Sequence, residues 1–339
     1  MSEPSPEPRG AADERRAALQ LLSKGQRFLL CGHVRPDGDC VGSQAALAGV
    51  LQRLGKDVWV VNPDPLQPQL EFLAAETTFG VFKGGTLPSH DVAVLLDFCE
   101  LERTGAMKDA LVSAASKKVV IDHHLFHGQP WWDAAYVDPK ASATGLLVYR
   151  VARDLGVELD ARIARGVYTA IVTDTGWFKY SNTDAETFAA ASDLVAHGVE
   201  PARLFSAIYQ RNPREQPLGV GRALSRLQYA ADGRLAVVAL PAARDGEADL
   251  ADGDDVLDLL RAVGRVEVVL FLRELKDGTV KLSARSKTDF DVNRLARGFG
   301  GGGHAKASGA TLPGPLDEVC ARITAAAVAQ LQGAGAASR

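Results

Sequence analysis

The stretch Arg27-Phe-Leu-Leu-Cys-Gly-His-Val-Arg-Pro-Asp-Gly-Asp-Cys-Val-Gly-Ser43 runs from an apolar segment into one histidine and two aspartates. Phe28 to Cys31 reads as a buried strand, Pro36-Asp37-Gly38-Asp39 as a turn, and Ser43 to Leu54 as a helix. Taken alone, the acidic segment reads equally as a solvated turn, with His33 a hydrogen-bonded residue at the strand end. A calcium loop of the EF-hand type fits less well, because Val41-Gly-Ser-Gln-Ala-Ala-Leu47 does not continue toward the closing Glu that such a loop needs.

Working outward, the same theme recurs. Val92 to Leu96 ends in Asp97, Val119 to Ile121 ends in Asp122-His123-His124, and Ala170 to Thr173, read as a further apolar strand, leads to Asp174. Each residue alone has a plain structural reading: Asp97 as a helix cap, Asp122 as a hydrogen-bond acceptor, His123 or His124 as a partly buried histidine. Strand-like runs, with Val58 to Val61 among them, alternate with helical patterns such as Thr144 to Leu155, which predicts a parallel sheet covered by helices. In such sheets the carboxyl ends of the strands meet at the ligand-binding crevice, so the clusters should converge.

Convergence would bring His33, Asp37, Asp39, Asp97, His123 and Asp174 together, with four carboxylates in one crevice. Like charges that close do not all stay ionised without cations, and a metal pair resolves the conflict. Carboxylate and imidazole ligands without thiolate spacing favour Mn²⁺, Fe²⁺, Co²⁺ or Zn²⁺ over Ca²⁺, with Mn²⁺ the first choice and Mg²⁺ and Co²⁺ as substitutes. Two such ions about 3.5–4 Å apart suit hydrolysis of a phosphoester or phosphoanhydride.

The 339 residues allow about two domains. With 24% charged residues and a formal net charge of −4, the chain lacks the basic excess of a general nucleic-acid coater. No stretch reaches the roughly 18 apolar residues of a membrane span, and the first ten lack a signal-peptide core, so the expected address is cytoplasmic, away from membranes. Cys31, Cys40, Cys99 and Cys320 form no Cys-x-x-Cys pair and read as reduced thiols. Three of them lie beside the acidic clusters, either as small filler or as a source of oxidation sensitivity.

The organisation expected is a disordered tail over 1–12, a catalytic domain over 13–210 with a first helix from Asp13 to Leu22, a linker over 211–225 around Arg211-Asn-Pro-Arg-Glu-Gln-Pro217, and a smaller α/β domain over 226–335. In the smaller domain, Arg234 to Leu240, Val266 to Leu272 and Thr279 to Ser283 read as strands of a mixed sheet, with a hairpin turn at Lys276-Asp-Gly-Thr279. A Gly-rich segment, Gly300 to His304, precedes a closing helix from Leu316 to Leu331. Gly301, Gly302 and Gly303 let backbone approach a ligand, His304 can donate a hydrogen bond, and Arg285, followed by Ser286, offers a fork for phosphate.

The ordered set His33 to Ser43, Asp97-Phe-Cys-Glu-Leu-Glu-Arg103, Asp122-His-His124 and Thr173 to Thr183 resembles the DHH phosphoesterase superfamily. Lys281-Leu-Ser-Ala-Arg-Ser-Lys287, Asp291-Val-Asn293 and Gly300 to Gly309 resemble the DHH-associated domain of the first type, and the length is most similar to the NrnA-like oligoribonuclease group. The resemblance, covering about residues 20 to 330, implies an active site in the cleft between the domains. His33 and Asp37 would hold one metal, Asp39, His123 and Asp174 the other, and Asp97 would bridge. Asp122 would fix a histidine ring, and His124 would face the scissile phosphate and protonate the leaving oxygen. Arg285, Ser286, Gly301 to Gly303 and His304 would hold the nucleotide that is not cleaved.

The implied activity is Mn²⁺-dependent release of mononucleotides from single-stranded RNA of roughly two to five nucleotides, linear dinucleotides and 3′-phosphoadenosine 5′-phosphate. A cyclic-dinucleotide phosphodiesterase and, from another class, a non-catalytic nucleotide or RNA sensor are the alternatives; a homodimer is compatible with the sequence. Two departures from the family pattern, Ser142-Ala-Thr-Gly-Leu146 and Cys40, are expected to touch no proposed ligand.

Overall fold

The computed structural model describes residues 10–126, 128–244 and 253–336, and it divides into units Met1–Arg211 and Asn212–Arg339. The expected tail lies outside the described residues up to residue 9, while residues 11 and 12 already belong to helix α1 (Ala11–Lys24). No helix among the described residues is long and apolar enough to cross a membrane.

In the first unit, β1 (Arg27–Cys31), β2 (Asp57–Asn62), β3 (Phe79–Val81), β4 (Val92–Leu96), β5 (Lys117–Asp122) and β6 (Ala134–Val137) form a parallel sheet in the order β3-β2-β1-β4-β5-β6. The chain builds outward from β1 through β2 to β3, then returns to place β4 on the other side of β1. Strand order therefore reverses between β1 and β4, the switch point at which open α/β sheets bind ligands. Phe28, Leu29 and Leu30 are wholly buried, as are Val94, Leu95 and Leu96. Burial of each such side chain contributes about 1.5–3 kcal/mol.

The helices are α2 (Gly38–Arg53), α3 (Lys108–Ser113), α4 (Thr144–Asp154), α5 (Ala161–Asp174), α6 (Ala185–Ala196) and α7 (Pro201–Tyr209). Helix α2 begins five residues before Ser43, because the Asp37 carboxylate accepts from Cys40 N at 3.1 Å and acts as its cap. Asp39 thus stands in the first helical turn. The segment Ala170 to Thr173 is not a strand but the last turn of α5. A window of four apolar residues does not distinguish a buried strand from a buried helix, whereas the longer frame, capped by Asp160 at Ile163 N and buried from Ile163 to Val172 except at Arg165, is helical.

Helices α2 and α5 touch backbone to backbone. A Cβ on Gly42 would lie 2.6 Å from Gly166 O, and one on Gly166 would lie 2.7 Å from Ala46 N. This close crossing brings the start of α2, with Asp39, against the end of α5, with Asp174.

The second unit contains α8 (Gln216–Leu224), β7 (Leu227–Ala230), β8 (Leu235–Leu240), α9 (Asp254–Arg261), β9 (Val268–Glu274), β10 (Thr279–Ser286), α10 (Val292–Arg297), β11 (Gly302–His304), β12 (Ala307–Pro313) and α11 (Leu316–Ala336). Helix α8 occupies most of the segment expected as a linker. The sheet order is β11-β12-β10-β9-β8-β7, mixed because β8 and β9 are parallel and the other pairs antiparallel. Leu282, Leu270 and Leu235 on one face pack under α10 and α11, while Phe271 and Val238 on the other pack under α8 and α9. The hairpin turn forms as expected, with Gly278 at φ 79° and Asp277 accepting from Thr279 N at 2.9 Å.

Candidate metal centre

Strand ends and helix ends of the first unit carry eight clustered side chains to the switch point. His33 follows β1, Asp97 follows β4, Asp122 ends β5, and His123 and His124 come next; Asp37 caps α2, Asp39 opens it, and Asp174 closes α5. Asp97 sits at φ 73°, a left-handed conformation that aspartate and asparagine accept more readily than most residues. Its amide donates to Ile121 O at 3.0 Å, which ties the turn after β4 to β5.

The histidines are aimed by backbone carbonyls. His33 Nδ1 lies 2.9 Å from Val34 O and His123 Nδ1 lies 3.0 Å from Ala141 O. A carbonyl at Nδ1 places the proton there and leaves Nε2 with a lone pair facing inward. His33 Nε2 is 3.5 Å from Asp97 Oδ2 and 3.8 Å from Asp37 Oδ2, and it is buried without a hydrogen-bond partner. His123 Nε2 is 3.6 Å from Asp39 Oδ2, 3.7 Å from Asp97 Oδ1 and 3.7 Å from Asp174 Oδ2.

The potential ligand atoms fall into groups within 4.8 Å: His33, Asp37 and Asp97; Asp39, His123 and Asp174; and Asp97, His123 and His124. An orphaned buried imidazole nitrogen surrounded by carboxylate oxygens fits a divalent cation, and the oxygen and nitrogen donors suit Mn²⁺, Mg²⁺, Co²⁺ or Zn²⁺.

Electrostatics point the same way. Burial raises the Asp39 carboxyl well above its usual range, and the charges of Asp97, Asp174 and Asp37 raise it further. Asp174 is pushed up to about 6, by burial first and then by Asp97 and Asp37, against the pull of His123. Burial alone would lower His33, but Asp37 and Asp97 outweigh it and lift the ring to about 9. Without metal, protons supply part of the positive charge that this cluster requires.

A pH dependence follows. Asp39 and Asp174 retain protons in the folded, metal-free chain at pH values where the unfolded chain has released them. The metal-free fold therefore loses stability as pH rises from about 4 through 6 and above. Mn²⁺ should raise the melting temperature more at pH 8 than at pH 5.5; equal shifts in a thermal denaturation series would count against the charge conflict.

His124 is set differently. Its Nδ1 lies 2.7 Å from Asp122 Oδ1, and its backbone amide also donates to that oxygen at 3.2 Å. The bond to Asp122 lifts His124 to about 9 despite partial burial, which favours the charged ring in the metal-free chain. Burial would raise Asp122, but the bond to His124 outweighs it and holds the carboxyl low.

The supporting shell was not legible in the sequence. Asp39 accepts from Thr144 N at 2.7 Å, Gly145 N at 2.9 Å and Ser43 Oγ at 3.0 Å, so the carboxylate caps the N-terminus of α4. Thr144 Oγ1 donates to Asp97 Oδ1 at 3.0 Å. The Ser142 to Leu146 stretch, expected to touch no ligand, thus holds two of them; a cap supplied from about a hundred residues away leaves no local spacing to read. Cys40, the other departure, touches Asp37 through its backbone amide.

Asn182 Nδ2 donates to Ser142 O at 2.9 Å and to Asp174 at its carbonyl, 3.2 Å, and its Oδ2, 3.3 Å. Loss of such an orienting partner typically costs 10–100-fold in metal affinity. Asn182→Ala should weaken Mn²⁺ binding by about that factor in a titration followed by electron paramagnetic resonance, with little change in helicity.

Burial pushes the Cys31 thiol up to about 12 and raises Cys40 and Cys99 as well, and all three are buried. They are protonated, shielded thiols with little nucleophilic character.

In the second unit, antiparallel register aligns His304, Ala307 and Arg285 across β11, β12 and β10 on one face. His304 and Arg285 are thus two strand spacings apart, about 10 Å. Arg285 Nη2 donates to Asp254 Oδ1 at 3.0 Å. Ser286 points to the opposite face, is 4% exposed, and donates from its hydroxyl to Thr288 O at 3.0 Å, so it stands apart from Arg285. The Gly-rich segment is partly strand: a Cβ on Gly301 would meet Gly309 O at 2.1 Å and one on Gly303 would meet Ala307 O at 2.6 Å. These two glycines serve close packing on β12, while Gly302 faces open space.

A parallel α/β sheet with an acidic and imidazole cluster at its switch point defines a metal-site class of protein. Residues 27–171 match the DHH family N-terminal domain and 233–332 match the DHHA1 domain, and the chain belongs to the DHH family. It is 35% identical over 336 residues to a bifunctional oligoribonuclease and PAP phosphatase NrnA of Thermus thermophilus, covering 98% of each chain. It is 25% identical over 300 residues to the protein of the same name from Bacillus subtilis, covering 87% of this chain and 92% of that one. The crystal structure of an exopolyphosphatase-related protein from Bacteroides fragilis superposes with a TM-score of 0.84 at 25% identity, over 94% of this chain and 96% of the other.

Proposed function

We propose that the protein hydrolyses phosphoester bonds in very short oligoribonucleotides, linear dinucleotides and 3′-phosphoadenosine 5′-phosphate, using two divalent ions, with Mn²⁺ preferred. The names of the Thermus and Bacillus relatives support the substrate class. The observation that carries the two-metal reading is Asp97, whose Oδ2 faces His33 and whose Oδ1 faces His123. One carboxylate with an oxygen toward each imidazole is placed to serve both ions: His33 and Asp37 would hold one, Asp39, His123 and Asp174 the other, and Asp97 would be shared. When bound, the ions supply positive charge for the transferred phosphoryl group and make water a competent nucleophile at neutral pH.

The chain's own groups do the rest. Thr144, Gly145 and Ser43 fix Asp39, and Asn182 fixes Asp174, so the ligands are oriented before metal arrives. His124, kept charged by Asp122 and 46% exposed, presents its free Nε2 proton to the leaving oxygen. Arg285, His304 and the open backbone of Gly302 are the nucleotide-holding groups of the second unit.

The test is a product-resolved assay with Mn²⁺ on a 5′-phosphorylated RNA dinucleotide, 3′-phosphoadenosine 5′-phosphate and a cyclic dinucleotide. Mononucleotide release from the first two, abolished by chelation, is expected. Exclusive turnover of the cyclic compound would replace this reading with a cyclic-dinucleotide phosphodiesterase, and binding of all three without turnover would leave a sensor.

A further inference from the structure

The second acidic motif ends in Arg103, a residue that the proposed chemistry has not used. Its backbone is fixed against the site: Val34 N, next to His33, donates to Arg103 O at 2.8 Å, and Arg103 N donates to Glu100 O at 2.9 Å. Thr104 and Met107 are buried just beyond it, with Thr104 Oγ1 donating to Leu101 O at 2.6 Å, so the turn is anchored on both sides.

Arg103 is partly buried as a residue, and its guanidinium has no hydrogen bond or ion pair among the described residues. The nearest acid in sequence, Glu102, is taken by Lys108 at 2.9 Å. Yet the positive charge of Arg103 reaches both Asp37 and His124, which come from different segments of the site. A partly desolvated, unpaired guanidinium is costly unless an anion completes it, and its planar fork matches two oxygens of a phosphoryl group.

We propose that Arg103 is a phosphate clamp: its guanidinium holds the non-bridging oxygens of the phosphoryl group being cleaved, on the side of the site where His124 meets the leaving oxygen. This rests on the hydrolase reading above. The ions and Arg103 then divide the charge of the phosphoryl group between them, and Arg103 needs no ligand role toward metal. An arginine is suited to this place because its rigid planar fork offers two parallel donors to the oxygens of one phosphoryl group, where a lysine offers a single point charge.

The test uses the full-length, Mn²⁺-loaded chain with Arg103→Gln and Arg103→Lys. For Arg103→Gln, kcat/KM should fall about 100-fold on both the RNA dinucleotide and 3′-phosphoadenosine 5′-phosphate, the loss expected for one preorganised donor to a transition-state oxygen. Inorganic phosphate should inhibit it at least about tenfold more weakly, whereas Mn²⁺ affinity and melting temperature stay at wild-type values. Arg103→Lys should recover part of both losses. Rates within threefold of wild type, an unchanged phosphate inhibition constant, or losses that track a fall in Mn²⁺ affinity would overturn the clamp. If the wild type turns over neither substrate, the hydrolase reading fails, and direct phosphate binding to wild type and Arg103→Gln still decides whether Arg103 is an anion site.

Discussion

Asp97→Asn is expected to lower kcat/KM by on the order of a thousandfold, or about 4 kcal/mol of transition-state stabilisation. The choice of asparagine matters. Asp97 lies at φ 73°, where asparagine is tolerated nearly as well as aspartate, so the backbone turn survives and the charge alone is removed. Asparagine can also keep the bond from Thr144 Oγ1. What it lacks is the negative charge and the second acceptor oxygen, so the groups facing the two oxygens, His33 on one side and His123 on the other, would share no anionic bridge. The variant should bind less Mn²⁺ while keeping wild-type circular dichroism. Activity within tenfold of wild type at saturating Mn²⁺ would show that Asp97 does not bridge.

Gly166→Leu is expected to prevent stable folding of the first unit. A Cβ at this position lies 2.7 Å from Ala46 N and 2.8 Å from Gly42 O, and neither is a flexible side-chain end that could swing away. The side chain beyond Cβ would force α5 off α2, where each is buried over most of its length. Overpacking of a well-packed core costs about 1–3 kcal/mol and sometimes more, and this site lies at the upper end because backbone is the obstacle. Loss of the cooperative transition, or a midpoint in urea lowered by at least about 1 M, is the expected result. Gly166→Ala should be milder but still destabilising, and a wild-type urea midpoint for Gly166→Leu would mean that the two helices do not need to touch. Because the same crossing joins Asp39 to Asp174, Gly166→Ala should also weaken Mn²⁺ binding.

Much of this architecture was legible because chemistry and secondary structure coincide at strand ends. Val92 to Leu96 running into Asp97, and Val119 to Ile121 running into Asp122-His123-His124, show both a buried parallel strand and its ligands in one reading. His33 behaves in the same way. The end of α5 did not, since a buried helix and a buried strand both present unbroken apolar residues, and only the cap at Asp160 separates them. Asp174 was placed with the other acids for a reason that does not hold, a strand end, and stands there because of the contact between Gly42 and Gly166.

The supporting bonds lay deeper still. Thr144 and Gly145 reach Asp39 from another helix, and Asn182 reaches Asp174 from a loop, so tertiary packing alone reveals them. In the second unit the glycine run was read as backbone open to a ligand; Gly302 and Gly303 belong to an edge strand, Gly301 and Gly303 fit against β12, and Gly302 faces open space. Arg285 and His304 were singled out from separate motifs and share one face of the sheet through a register that the sequence does not display. Ser286, one residue from Arg285, faces the other way as alternation in a strand requires.

The central claim, a pair of ions bridged by Asp97 at the switch point between β1 and β4, is tested most directly by anomalous diffraction at the manganese edge from crystals of the Mn²⁺-loaded chain. Two peaks about 3.5–4 Å apart are expected, with Asp97 between them, His33 and Asp37 at one, and Asp39, His123 and Asp174 at the other. A single ion at full Mn²⁺ occupancy, or two ions that do not share Asp97, would contradict it.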